Sequence, residues 1–128
     1  MADCSTRCSS TPDAARPVIS LLECTLVEAT ESIRLLPGTR IRAAYGREDI
    51  IEGYRCRYGL NPAFTAELTA GDLQVAARSP QGEIRALELR GHPFFVTTLS
   101  QPERAALRGE LPPLVRAFLA AAAAGGGP

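Results

Sequence analysis

Short strand-like segments recur along this chain of 128 residues. Apolar residues cluster or alternate with polar ones over three to ten positions, which is typical of β-strands. The segments cover 18–22, 25–27, 31–36, 39–45, 49–58 and 94–99. Within 39–45, Ile41 and Ala43 alternate with Arg40 and Arg42, which predicts a strand exposed on one face. Gly53 is expected to interrupt the segment 49–58.

The remaining segments predict one hairpin and two helices. Strands over 73–77 and 83–89 flank the turn Ser79-Pro80-Gln81-Gly82. Asn61-Pro62 predicts the start of a short helix that Gly71 ends. After Pro112-Pro113 a terminal helix carries an apolar stripe that is expected to face a sheet: Leu111, Leu114, Val115, Phe118 and Leu119. These elements together predict an α/β or α+β sheet layered by helices.

Composition divides the chain into one domain with two unstructured ends. Residues 1–16 are small and polar, which predicts a disordered leader, and 125–128 predict a flexible tail. The domain between them covers 17–124. Fourteen arginines balance fourteen carboxylates, so no net charge attracts nucleic acid or an anionic membrane. Without a signal peptide or a membrane span, the chain is predicted to be a soluble cytoplasmic protein.

The four cysteines do not predict a metal site. Cys4 and Cys8 lie close together, but they belong to the leader, whereas Cys24 and Cys56 are isolated. Zinc sites usually contain two close pairs of ligands. The single histidine, His92, precedes Pro93 and is interpreted as a turn residue. No metal is expected, and the cysteines are expected to be thiols.

Four motifs follow one another in a fixed order. They are Ala44-Tyr45-Gly46, Tyr54-Arg55-Cys56-Arg57-Tyr58-Gly59-Leu60-Asn61, His92-Pro93-Phe94-Phe95-Val96 and Gln101-Pro102-Glu103. From about Val18 to Ala124 their order and spacing resemble the C-terminal half of a class I glutamine amidotransferase domain of the CTP synthase type. In that family the second motif reads RHRYEVN and the last reads His-Pro-Glu. Cys56 and Gln101 therefore both replace a histidine.

The resemblance implies the C-terminal portion of a flavodoxin-like α/β sheet with flanking helices, incomplete on its own. It implies glutamine hydrolysis that supplies ammonia for the ATP-dependent amination of UTP to CTP. ATP and Mg²⁺ belong to the family's synthetase domain, so no cofactor is expected in this chain. Gln101 takes the position of the general base and Glu103 that of the triad glutamate. The resemblance places Arg57 at the glutamine pocket, with Arg55 and Tyr58 beside it.

Three departures from the family predict that the chain is inactive alone. The amide of Gln101 cannot take up a proton near neutral pH. No G-x-C-x-G elbow occurs, and neither Cys24 nor Cys56 has the flanking glycines that the strained turn needs. No synthetase domain is present to use ammonia.

Two further interpretations come from other classes of protein. One is a non-catalytic module that binds glutamine or another small carboxylate through Arg57, since arginine pairs with carboxylates bidentately. The other is a thiol-dependent protein that uses Cys56, although Arg55 and Arg57 would point to the opposite face of a strand. The expected partners are a separate N-terminal half or a second copy of the chain, and neither nucleic acid nor a membrane is expected.

Overall fold

Five strands form a single sheet in the computed structural model, which describes residues 15–125 except for the side chains of 23–25. They are β1 (Ile19–Leu35), β2 (Asp49–Leu60), β3 (Leu73–Arg78), β4 (Ile84–Leu89) and β5 (Val96–Thr98). Their order across the sheet is β2-β1-β3-β4-β5, and all four neighbouring pairs are antiparallel. The helices are α1 (Arg40–Tyr45), α2 (Thr65–Leu68) after a 3₁₀ turn (Pro62–Phe64), a second 3₁₀ helix (Pro102–Arg108) and α3 (Pro113–Gly125).

The strand β1 joins three segments that the sequence pattern separates. It has 17 residues and pairs with β2 along its length, from Ile19 opposite Leu60 to Arg34 opposite Asp49. The register shifts twice, once between Leu21 and Leu26 and once between Val27 and Ala29. Such bulges insert residues without ending the pairing. The expected interruption of β2 at Gly53 is wrong, because Gly53 pairs with Thr30.

The sheet curls so that its two ends approach each other. Only Arg34 and Leu35 of β1 pair with β3. Beyond β5, the backbone N–H of Gln101 donates to the carbonyl of Gly53 in β2 at 2.9 Å. The core lies inside this curl and consists of Leu26, Ile33, Leu35, Ile41, Ile50, Tyr54, Ala76, Ala77, Ala86 and Leu114. The curl thus brings the end of β5 next to the middle of β2.

The predicted strand over 39–45 is wrong, because these residues form α1. Thr39 accepts the N–H of Arg42 as a side-chain cap, and Gly46 ends the helix with a φ of 70°. From β4, the buried carboxylate of Glu88 accepts the N–H groups of Arg40 and Ile41, each at 2.8 Å. A carboxylate at this position satisfies N–H groups that a short helix leaves without partners. A contact across 47 residues therefore outweighs the local alternation.

The expectation for the terminal helix is confirmed in its position and wrong in its burial. Helix α3 starts at Pro113, but of the apolar stripe only Leu114 is buried. Val115, Phe118, Leu119 and Leu111 are 37%, 51%, 57% and 60% exposed. The helix lies against α1 and the second 3₁₀ helix rather than flat on the sheet, and Phe118 meets Phe94 edge-on at 5.6 Å.

The other local predictions agree with the described residues. The β3–β4 hairpin forms around Ser79, and Asn61 caps the turn that leads into α2 by accepting the N–H of Ala63. The predicted leader lies outside the described residues except for Ala15 and Arg16, and so do 126–128 of the tail. No helix in the part described is long and apolar enough to cross a membrane.

Candidate functional site

The segment Gln101–Glu103 lies directly against β2. Besides the bond from the Gln101 N–H to Gly53, the Gln101 carbonyl accepts the N–H of Arg104 at 3.0 Å. Pro102 is buried, whereas Gln101 is half-buried and Glu103 is exposed in the first turn of the second 3₁₀ helix. The side chain of Gln101 makes no capping hydrogen bond. Two backbone hydrogen bonds therefore hold Gln101 against β2 and the start of the second 3₁₀ helix.

The strand β2 presents its candidate residues on two faces. Cys56 is buried at 8% exposure, between an exposed Arg55 and a half-buried Arg57. This alternation agrees with the expectation that both arginines point away from the thiol. Arg55 pairs with Glu28 of β1 at 3.2 Å. Tyr58 is half-buried, and its N–H donates to the Cys56 Sγ at 3.4 Å.

A charged network connects the face of β2 that carries Arg55 with the segment after β5. Arg104 donates to the carbonyl of Tyr54 at 3.3 Å and to Glu28 at 2.9 Å. The two oxygens of Glu28 are thus divided between Arg104 and Arg55. The hydrogen bond and charge of Arg104, followed by the charge of Arg55, lower the pKa of the Glu28 carboxyl. Arg104 and Arg108, which follow Glu103 in the sequence, pair with Glu28 and Glu110.

A buried carboxyl lies next to Gly53 in the sequence. Glu52 is 8% exposed and accepts a short hydrogen bond from the hydroxyl of Tyr45. Burial raises the pKa of Glu52, and the charges of Glu103 and Glu110 raise it further, against the opposing effects of Tyr45 and Arg108. Burial and the bond to Glu52 likewise raise the pKa of Tyr45. This carboxyl can hold a proton at a pH where an exposed glutamate has lost it.

Cys56 belongs to a separate cavity of about 350 Å³ between the end of β2 and the strands β4 and β5. Tyr58, Leu87 and Leu99 contribute to its mostly apolar wall, and Arg85 also lines it. The structure thus brings Gln101, Arg55 and Glu28 into one connected region, and it places the thiol in another. Among residues 15–125, no group of three or more His, Cys, Asp or Glu side chains could hold a metal ion.

Three residues of this region did not emerge from the sequence as candidates. Arg104 and Glu28 carry no local signal, because their contact spans 76 residues and Glu28 lies at a bulge. Gly53 did carry one, since a glycine inside a strand often marks the close approach of another group. A Cβ at Gly53 would lie 3.3 Å from Cδ of Arg104. His92 is exposed and accepts the N–H of Phe94, as expected of a turn residue.

Comparison with known proteins finds relatives over most of this chain. The chain is 35% identical to the CTP synthase of Chloroflexus aggregans over 122 residues, which is 88% of this chain and 22% of that protein. It is 38% identical to the CTP synthase of Moorella thermoacetica over 128 residues, which is 91% of this chain and 24% of that protein. The chain therefore spans about a quarter of the length of these relatives. No family model matches it.

The fold has a counterpart among solved structures. The glutaminase domain of Trypanosoma brucei CTPS, solved with bound acivicin, superimposes with a TM-score of 0.77 at 20% identity. The match covers 87% of this chain and 47% of that domain. The predicted fold, a portion of a glutaminase sheet with flanking helices, is confirmed by this match. The predicted family resemblance is confirmed by the CTP synthase relatives.

Proposed function

Over most of its length the chain is similar to part of a CTP synthase-like glutamine amidotransferase domain, and from that premise we propose that it binds glutamine without hydrolysing it alone. The α-carboxylate pairs with Arg57 and the segment Gln101–Glu103 lines the same site, whereas Tyr58 lines the Cys56 cavity. The observation that carries this proposal is the 2.9 Å hydrogen bond from the Gln101 N–H to the Gly53 carbonyl. It supports the proposal because it holds the former catalytic segment four residues from Arg57 along β2.

The chemistry of Gln101 explains why binding and hydrolysis separate. General-base catalysis needs a group that takes up a proton near the working pH, and an amide cannot do so. The chain also lacks the G-x-C-x-G elbow that presents a nucleophile. Recognition of a carboxylate needs only a bidentate cation and nearby hydrogen-bond donors. These requirements are compatible with Arg57 and a docked Gln101.

The proposal concerns only the part of the relatives that this chain matches. Because the relatives are CTP synthases four times longer, glutamine-dependent amination of UTP, with its ATP and Mg²⁺, belongs to a synthetase portion. A separate N-terminal half of the glutaminase fold or a second copy of this chain would supply the remaining elements. Exposed apolar residues on α3, such as Phe118 and Leu119, are compatible with such a partner.

Isothermal titration of the full chain with L-glutamine tests the proposal. L-glutaminamide, which lacks the α-carboxylate, is the matched ligand. We expect saturable binding of glutamine alone, and a loss of roughly ten- to hundredfold in affinity for Arg57→Gln, as for a bidentate charged contact. Arg116→Gln on the exposed face of α3 is the control and should bind normally. Ammonia release by the chain alone, or equal binding of both ligands, would contradict the proposal.

The cavity at Cys56 favours a second candidate function, thiol chemistry on an apolar substrate. The thiol is buried at the wall of a volume suited to a small molecule. Alkylation followed by peptide mass mapping measures whether Cys56 is reachable. Loss of a thiol-dependent activity in Cys56→Ser would favour this function, whereas an unreactive Cys56 in the native chain would exclude it.

A further inference from the structure

Glu28 has a backbone conformation that side-chain-bearing residues rarely adopt. Its φ is 51°, and it is the sole non-glycine residue with a positive φ among those described. It lies at the second register shift of β1, between Val27 and Ala29. Bulges of this kind redirect a side chain and are common beside functional sites. A strained residue persists where its surroundings determine its conformation.

The redirected side chain reaches two cations from different parts of the chain. One oxygen of Glu28 lies 3.2 Å from Arg55 of β2, and the other lies 2.9 Å from Arg104 of the second 3₁₀ helix. Arg104 is partly buried, with 28% of its side chain exposed, whereas Glu28 and Arg55 are about half exposed. Glu28 is therefore the link between the bulge, the strand and the segment after β5.

Arg104 reaches Glu28 by crossing β2 at a position without a side chain. Its Cδ would lie 3.3 Å from a Cβ at Gly53, a distance tighter than ordinary van der Waals contact. On the way, the guanidinium donates to the carbonyl of Tyr54. The neighbouring Gly53 carbonyl accepts the N–H of Gln101. The same two residues of β2 thus receive both the side chain of Arg104 and the backbone of Gln101.

We propose that Glu28 is a positioning residue of the glutamine site: through Arg104 it holds the segment Gln101–Glu103 on β2. The inference deepens the proposed function and rests on it for the identity of the ligand. Glu28 is not expected to touch the ligand. Glu28 also places a negative charge 3.2 Å from Arg55, so the proposal includes Arg55 in this network.

Amide hydrogen exchange tests the positioning role without needing a ligand. The reporters are the N–H groups of Gln101 and Arg104, and the β3–β4 hairpin is the internal reference. In Glu28→Gln and Arg104→Gln we expect both reporters to exchange roughly two- to fivefold faster, the range for one partly exposed ion pair. The hairpin should be unchanged, because a local opening differs from a loss of global stability.

Two variants separate the carboxylate from the backbone strain. Asn tolerates a positive φ better than most residues, so Glu28→Asn keeps the bulge while removing the charge. The amide groups of Gln101 and Arg104 should still exchange faster in this variant. Glu28→Asp keeps the charge and should restore part of the protection. The matched control is Glu67→Gln, which removes an exposed carboxylate that pairs with Arg16 at 3.3 Å. It should leave both reporters unchanged.

The results distinguish the positioning role of Glu28 from the proposed binding of glutamine. Unchanged reporters in Glu28→Gln and Arg104→Gln, or equal acceleration in reporters and hairpin, would overturn the positioning role. Accelerated reporters together with weaker glutamine binding in Glu28→Gln would support both proposals. If the unmodified chain binds no glutamine, the proposed function fails, and the exchange rates still decide whether Glu28 holds the segment.

Discussion

Removal of the charge of Glu31 tests the most buried ion pair in the described part of the chain. Arg85 of β4 donates to both oxygens of Glu31, from Nε at 2.8 Å and from Nη2 at 3.3 Å. Their side chains are 3% and 14% exposed. The guanidinium also lies 5.8 Å from the ring centre of Tyr54, whose side chain is fully buried. In Glu31→Gln, the carboxylate that remains beside Arg85 is that of Glu83, at 3.5 Å.

The expected cost follows from the burial of the remaining cation. Removing one partner of a buried ion pair costs about 3–5 kcal/mol, because the other charge stays desolvated. The amide keeps one acceptor and Glu83 keeps one charge nearby, so we expect the lower end, about 3 kcal/mol. Replacing both partners by apolar residues of similar size, Glu31→Leu with Arg85→Met, should cost much less, about 1 kcal/mol or below. A large coupling energy between the two sites is therefore expected.

Urea unfolding followed by far-UV circular dichroism measures these differences, since the chain has no tryptophan. The free energy of unfolding should fall in Glu31→Gln without a change in the denaturant dependence. Glu83→Gln removes the more exposed carboxylate and is the control, with an expected loss under about 1 kcal/mol. A loss below about 1 kcal/mol in Glu31→Gln, or additive effects in the double variant, would refute the reasoning from burial.

Two further predictions concern carboxyls near the candidate site. Because burial raises the pKa of Glu52 in the folded state, its contribution to stability is complete below the ordinary pKa of 4.5 and is lost as pH rises through the raised value. Glu52→Gln should therefore be more stable than the unmodified chain at neutral pH but not under acidic conditions. If the free energy of unfolding had the same pH dependence in both chains, this prediction would be contradicted. Glu88→Gln should cost about 2 kcal/mol, because one of two charge-assisted bonds to the start of α1 is lost. Urea unfolding with hydrogen exchange at Arg40 measures it, and a cost below about 0.5 kcal/mol would show that Glu88 does not hold α1.

Local pattern predicted those elements whose signals are local. The hairpin turn around Ser79, the cap at Asn61 and the start of α3 at Pro113 each depend on residues within a few positions, and each appears in the structure. Helix α1 could not be predicted in this way. Its alternating arginines fit a strand, and the deciding contact comes from Glu88 in β4. A helix of six residues is marginal alone and needs such support.

The candidate site could likewise be predicted from the sequence only in part. The motif Gln101-Pro102-Glu103 and the arginines of β2 could be located from their resemblance to a family. The network that connects them could not, because Glu28 joins strands through a bulge that shifts the register. The burial of Glu52 next to Tyr45 also depends on the curl of the sheet. Sequence identified the residues with familiar chemistry, whereas tertiary contacts determine which of them meet.

The contacts of Gln101 show that its position does not depend on a capping bond from its side chain. Both hydrogen bonds that place this residue come from its backbone, to Gly53 and from Arg104, and its side chain makes no capping bond. The adjacent Pro102 is buried. The fold therefore sets no requirement for an imidazole at this position, and only proton transfer requires one. Under the proposed function, Arg57 and the docked segment serve binding, and the amide of Gln101 stands where a proton-transferring group would be needed for hydrolysis. Ligand affinity, rather than turnover, is thus the property by which the proposed function should be judged.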